Sequence, residues 1–353
     1  MAYTTIDDGS AHFHTLLYTG NGSDDRNLTN DANAGDFKPD FLWIKQRSAT
    51  RGHIIVDSNR GATKRIRPDS NAAEDTKADH IQAFLTNGFQ VGTNNTTNVS
   101  SGTYVAWQWK ANGGTTTSFS ESGNNPAGAH QANTTAGFSI VTYTGTGANG
   151  TVAHGLGAKP NVMLQKKLGG DASWVVYHDK VASDPATDYL ILNETSVNAD
   201  YAPHFNDTEP TSTVFTVGTD GAVNSDGVTN LMYCFTEIKG YSKFGSYTGT
   251  NNADGAFVYT GFKPAWLMVK RTADAARAWV IHDNKQDPHN VTANRLDANT
   301  TEGNQSSGHF DFLSNGFKCR STEGATNAAS PYVYLAFAEH PFVSSEGVPT
   351  TAR

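Results

Sequence analysis

The chain has 353 residues, 34 of them glycine, and only 17% are charged, against about a quarter in an ordinary soluble domain. Lys plus Arg number 26 and Asp plus Glu 34, a net charge of −8 that argues against a general nucleic-acid binder. No run of apolar residues is long enough for a spanning helix, the start Met1 to Asp8 has neither the basic nor the apolar region of a secretory signal, and glycine shows no collagen period.

In chain order, a first pattern opens at Tyr18-Thr19-Gly20 and passes a Lys38-Pro39 step into Phe41-Leu42-Trp43-Ile44-Lys45. It continues through His53-Ile54-Ile55-Val56-Asp57 and Gly88-Phe89-Gln90-Val91-Gly92, and closes on Tyr104-Val105-Ala106-Trp107-Gln108-Trp109. Between these pieces, Ala73, Lys77, Ile81 and Leu85 fall four apart and predict a short helix over 72–85. Residues 111–135 are rich in Gly, Ser and Asn and read as a flexible or draped linker.

The pattern then recurs twice. Tyr143-Thr144-Gly145 leads through Lys159-Pro160 to Val162–Lys166, Trp174–Asp179, Val214–Gly218 and Leu231–Phe235, and Tyr247-Thr248-Gly249 leads through Lys263-Pro264 to Trp266–Lys270, Trp279–Asp283, Gly316–Arg320 and Tyr332–Phe337. From Tyr to Lys the offsets are 20, 16 and 16 residues, and Phe89 to Trp109, Phe215 to Phe235 and Phe317 to Phe337 each span 20. Such constancy marks a tandem repeat. The apolar pieces are short, rich in Val, Ile and aromatics, and bounded by Gly, Asn, Asp and Pro, so they read as strands. The expected fold is all-β: three tandem β-sandwich, jelly-roll-like repeats over 1–110, 136–240 and 241–342, with the linker at 111–135 and a tail at 343–353. The junction Lys239-Gly240-Tyr241 is so short that repeats two and three should pack as a fixed pair and repeat one should be more independent.

Motifs that suggest chemistry have plainer readings. Gly145 to Gly150 matches G-x-G-x-x-G, but Thr151 to Gly157 reads as strand and turn where a dinucleotide site needs a helix. Eleven Asn-x-Ser/Thr sites report composition. Asp57, Asp179 and Asp283 supply one carboxylate per repeat, which suits turn capping rather than acid–base pairing. His178 and His282 precede two of these acids, without a nucleophilic serine to complete a triad; His12, His14, His53, His80, His130 and His154 show no metal-ligand spacing. Cys234 and Cys319 fit neither a zinc pattern nor a disulfide framework and read as buried thiols. The Asn/Asp-rich loop from Asn21 to Asp31 leaves calcium open. Tyr201 and Phe119, in loops, are candidates for stacking on sugars. Arg60, Lys64, Arg65 and Arg67 form one basic cluster on an acidic chain: either a solvated loop or a contact for an acidic neighbour, the next subunit or an anionic surface glycan.

Pro39 to Ser48, Asp57 to Gly61, Asn87-Gly88-Phe89, Tyr104 to Lys110, Ala136 to Gly145 and His154 to Gly157 together resemble an uncharacterised tandem-repeat domain of virion structural and tail-fibre proteins from tailed, mostly marine, bacteriophages. Tyr332 to Glu339 and the ending Pro349 to Arg353 are similar too, so the resemblance covers nearly the whole chain. It implies a structural or adhesive virion protein, made in the host cytoplasm, and no catalytic residues. The expectation is therefore a non-enzymatic tail fibre or receptor-binding subunit without cofactor, metal or membrane insertion. Its expected partners are other virion subunits, further copies of itself (a trimer by analogy) and a host surface glycan. Two alternatives stay open: a capsid decoration or head-fibre protein that cements neighbouring subunits, and a polysaccharide depolymerase.

Overall fold

The apolar runs form antiparallel strands, and the same four-strand order appears in three sheets. In the computed structural model, which describes residues 3–31 and 37–350, the first sheet contains Phe13–Thr19, Phe41–Gln46, Ile54–Asp57 and Thr103–Trp109. Its last strand in sequence is inserted between the first and second, with the third at the edge. Phe138–Thr144, Val162–Lys167, Val175–His178 and Thr229–Phe235 repeat that order, and so do Ser242–Thr248, Phe262–Arg271, Val280–Asp283 and Pro331–Pro341. The protein is all-β and sandwich-like, as its composition predicts. A smaller layer accompanies each sheet: Arg26–Leu28, Gly88–Val91 and Ile81–Leu85 in the first repeat, Gly150–Ala153 with Val214–Val217 in the second, and Phe257–Tyr259 with Gly316–Cys319 in the third.

Strand periodicity sends alternate residues to opposite faces. On one face of the first sheet Leu16, Tyr18, Leu42, Ile44, Tyr104 and Ala106 meet Leu28, Ile81, Phe89 and Val91, an inner core belonging to that repeat. On the other face Phe13, Phe41, Trp43, Trp107 and Trp109 enter a second core shared with Phe138, Leu164, Tyr233 and Phe235 of the second repeat and Phe244, Trp266, Met268 and Phe337 of the third. Phe41–Gln46 is consequently buried at all six positions, which explains why the run lacks polar alternation. Aromatic edges meet across the shared core: Trp109 and Trp266 at 5.6 Å, Phe235 and Phe337 at 5.9 Å, Phe41 and Tyr233 at 4.6 Å between ring centres. At its middle, Trp43, Leu164 and Met268, which hold corresponding places in the three sheets, leave with Trp109, Phe235 and Phe337 a void of only about 10 Å³. That is at most one water's worth of space, so the centre is close-packed.

Repeat one is thus no looser than the other two. The expected linker is also ordered: Thr117–Phe119 and Gly128–Asn133 are strands that extend the second sheet, with Gln131 opposite Ile140. The buried Gln131 side chain accepts from the amides of Asn112 and Gly114 and donates to Ser58 and Asn59, tying this segment to repeat one. In place of a helix over 72–85 the chain forms Asp75–Thr76 and Ile81–Leu85, the latter turning through Thr86-Asn87 to pair Leu85 with Gly88. Ile81 gains more from the sandwich core than an uncapped single turn of helix would supply. The α-helices are Asn95–Asn98 and Gly221–Asn224, four residues each, capped by the Asn94 and Asp220 side chains. The tail folds back, with Ser345 bonded to Asp7 and the Thr350 amide to the Phe342 carbonyl; residues 351–353 lie outside the described residues.

A shared core predicts shared unfolding. Trp109→Ala should cost about 3–5 kcal/mol and lower the stability of all three repeats together. Calorimetry should show one transition in both proteins; a separate early transition for residues 1–110 would contradict the shared core.

Candidate functional site

The repeated Tyr-Thr-Gly closes each sandwich at one end. The hydroxyls of Tyr18, Tyr143 and Tyr247 donate to the carbonyls of Thr97, Val223 and Thr326 at 2.7, 2.6 and 2.5 Å. The residue after each of these carbonyls is a fully buried asparagine, Asn98, Asn224 or Asn327. Its amide group donates to two loop carbonyls, Gly92 and Ser23, Gly218 and Ala148, or Ser321 and Asn252. Its oxygen accepts from the amide of Asn21, Thr146 or Thr250. The glycine of the motif is needed for closeness: a Cβ on Gly20, Gly145 or Gly249 would lie 2.1, 2.3 or 2.0 Å from a backbone oxygen. The Gly145–Gly150 loop is one of these clamped turns and leads into a strand, as expected. Sequence reading missed the asparagines, although they recur at one place in each repeat.

A second set of buried polar groups joins the repeats in a cycle. Lys45, Lys166 and Lys270 have no exposed surface. Each ammonium donates to a carbonyl of another repeat: Lys45 to Thr301 at 3.1 Å, Lys166 to Asn71 at 2.9 Å and Lys270 to Thr195 at 2.9 Å. At the start of each third strand, His53 Nε2 reaches the Asp297 carbonyl at 3.1 Å, Trp174 that of Arg67 at 2.8 Å and Trp279 that of Ile191 at 2.9 Å. These bonds run from repeat one to three, two to one and three to two. The ends of the same strands point the other way round. Asp57 accepts from the Tyr233 hydroxyl at 2.6 Å, His178 Nε2 meets the Tyr334 carbonyl at 3.2 Å and Asp283 accepts from the Trp107 indole at 3.0 Å. Three heterologous contacts therefore close a ring within one chain, the arrangement expected of a cyclic trimer.

Strand register corrects the sequence alignment of the acids. Phe41 faces Asp57, Trp266 faces Asp283, and the matching Val162 faces His178 rather than Asp179. Turn capping holds for Asp57, which accepts from the amides of Asn59 and Arg60, and for Asp283, which accepts from those of Lys285 and Gln286. His178 Nδ1 takes the capping place in repeat two by accepting from the Lys180 amide at 3.1 Å.

The basic cluster is internally neutralised. The Arg60 side chain is 4% exposed and bonds Asp57 at 2.6 Å and Glu74 at 2.8 Å, against the second repeat's Tyr233. Burial works against its charge, and Asp57 foremost, with Tyr233 and Glu74, more than offsets this. Lys64 lies 3.7 Å from Glu74 and Arg65 pairs with Asp75. Arg67 presents its carbonyl to Trp174. These four residues come together at the seam of repeats one and two. Tyr201 is 42% exposed beside His204 and Tyr189, whereas Phe119 packs against the second repeat's core. In the Asn21–Asp31 loop, Asn21 caps the Ser23 amide and Asp24 accepts from Gln82. Among the described residues no group of three or more His, Cys, Asp or Glu is placed to hold a metal, and both cysteines are free and buried. No helix among them is long and apolar enough to cross a membrane.

Each seam opens outward as a cleft: about 260 Å³ between repeats one and three beside His14 and Asp31, about 580 Å³ between two and three beside Tyr3 and Tyr259, and about 400 Å³ between one and two beside Arg60 and Glu74. These clefts, rather than any single repeat, are the candidate sites.

The ring depends on neutral histidines. The Trp43 indole can only donate, so His53 Nδ1 accepts it at 2.8 Å and Nε2 carries the proton toward Asp297. Burial pushes His53 well below the usual imidazole range, His178 and His154 to about 4 and His282 to about 3. Such groups add stability above the unfolded-state value of about 6.5, and lose it as pH falls toward the folded values. The buried Asp283 carboxyl, raised by burial, acts in the opposite sense only at the acid end of that window. Lowering pH from 7 to 5 should therefore reduce the unfolding free energy by about 2 kcal/mol for each fully excluded imidazole. Denaturant titrations at the two pH values check this; equal stability would contradict it. Asn224→Ala, which strands one amide and two carbonyls, should cost about 1–3 kcal/mol per stranded group at pH 7.

No curated protein and no solved structure matches this chain. Residues 8–341 match the family described as Domain of unknown function (DUF7483), and the chain belongs to that family.

Proposed function

We propose that this protein is a non-enzymatic, surface-exposed unit of a tailed-bacteriophage particle, made in the host cytoplasm and serving in a tail fibre as a host-adhesion subunit. The viral setting rests on the sequence resemblance. The observation that carries the mechanical part is the cyclic closure: buried lysines, aspartates and asparagines are spent on holding three repeats and their loops in fixed positions. A scaffold so braced presents its outer loops and three seam clefts without further ordering, which lowers the entropy lost on binding. Many copies on one particle then add weak contacts into avidity. The ring buries its apolar sheet faces without a second chain, so its partners are other virion subunits met through the polar exterior, and a surface glycan of the host.

The threefold-like ring also favours a second reading, a capsid decoration protein seated on a threefold site of the shell. Density of the intact particle separates the two. The adhesive reading predicts chains at the tail, and purified protein that slows adsorption of the phage carrying it. Chains on the capsid lattice would move the assignment to the second reading, and absence from the particle would overturn both.

A further inference from the structure

One repeat breaks the threefold pattern on its outer surface. In each small layer the strand partner of the core phenylalanine is a buried aliphatic residue: Leu28 opposite Phe89, Val152 opposite Phe215, Val258 opposite Phe317. The two flanking positions point outward. They are Asn27 and Thr29 in repeat one, Thr151 and Ala153 in repeat two, but Phe257 and Tyr259 in repeat three. Phe257 and Tyr259 are 48% and 52% exposed. Scattered single apolar residues on a surface need no explanation; two on one face of a strand, about 7 Å apart, where two sister repeats place small or polar residues, do.

Beside them lies the largest seam cleft. Tyr259 and Tyr3 line it with hydroxyls 3.1 Å apart, and the Tyr3 hydroxyl donates to the Gly261 carbonyl at 2.8 Å. Glu237 and Lys243 line it too but are satisfied: Glu237 accepts from Lys243 at 2.7 Å and from the Phe244 amide at 2.9 Å. Lys239 is different. Its ammonium sits 4.5 Å from the centre of the Tyr3 ring and has no carboxylate partner among the described residues. The cleft thus joins flat exposed aromatic faces, which suit the C–H face of a pyranose, to an ammonium uncompensated by a carboxylate on a chain of net charge −8.

We propose that this cleft binds a carboxylate-bearing polysaccharide, its sugar rings stacked on Tyr259 and Phe257 and a carboxylate paired with Lys239. The proposal rests on the adhesive reading and narrows it to one seam. Retention of the purified full chain in gels containing alginate, with dextran as the neutral comparison, tests it. Alginate should retard the protein and dextran should not. Tyr259→Ala should weaken retention at least tenfold, and Lys239→Met should weaken it and flatten its salt dependence, each with an unchanged unfolding midpoint. Equal retention by dextran, no retention by alginate, or variants that bind as the parent does would overturn it. A chain that fails on alginate yet still slows phage adsorption leaves the adhesive reading standing and removes this cleft from it; one that binds alginate but is absent from the particle does the reverse.

Discussion

A sheet that is apolar on both faces has to be covered on both. Each repeat carries such a sheet, and its own small layer covers one side only. The strand Phe41–Gln46, buried at every position, shows the consequence: Leu42 and Ile44 are sealed by Phe89 and Val91, while Phe41 and Trp43 stay uncovered unless another repeat arrives. Burying each large side chain is worth about 1.5–3 kcal/mol. That gain is available only when the three second faces meet, so it drives closure of the ring. Order in the segment 111–135, the fixed place of repeat one and the seam clefts all descend from it.

Apolar packing alone does not set direction or register. The buried lysines, aspartates and indoles do so, because each must find one particular partner in a medium where an unmet polar group costs about 1–3 kcal/mol. Lys166 reaching Asn71 and Asp57 receiving Tyr233 lock the same seam from opposite sides. Their counterparts lock the other two, so a slip of one repeat against its neighbours would strand several groups at once. Burial pushes Lys45 and Lys166 down to about 8 and Lys270 to about 7. Two backbone carbonyls around each ammonium compensate it without a carboxylate.

Local features of the fold were legible in the sequence. Tyr-Thr-Gly, the Lys-Pro steps and the strands between them obey short-range rules of periodicity and turn chemistry, and their threefold recurrence marks the repeat. Closure was less legible, although the unbroken apolar run Phe41 to Ile44 carried a hint that both faces are covered. The role of Lys45 depends on a carbonyl at Thr301, 256 positions away, which no local pattern signals. Asp179 was aligned with Asp57 and Asp283 because the hairpin before it differs in length, and only strand pairing reveals His178 in that place. Arg60 looked like a surface cation because its partners Asp57, Glu74 and Tyr233 converge only in three dimensions. The cleft of Tyr3, Lys239 and Tyr259 is likewise built from residues far apart in the chain.

Closure into a ring around a common core is the claim on which the rest depends, and small-angle scattering of the purified chain measures it directly. Three repeats packed around one core give a radius of gyration of about 20 Å for a chain of this length. Three separately folded repeats strung in a row would give about 28 Å, from beads of about 13 Å each. A value near 20 Å with a single compact distance distribution is the predicted result, and a value near 28 Å would contradict the account.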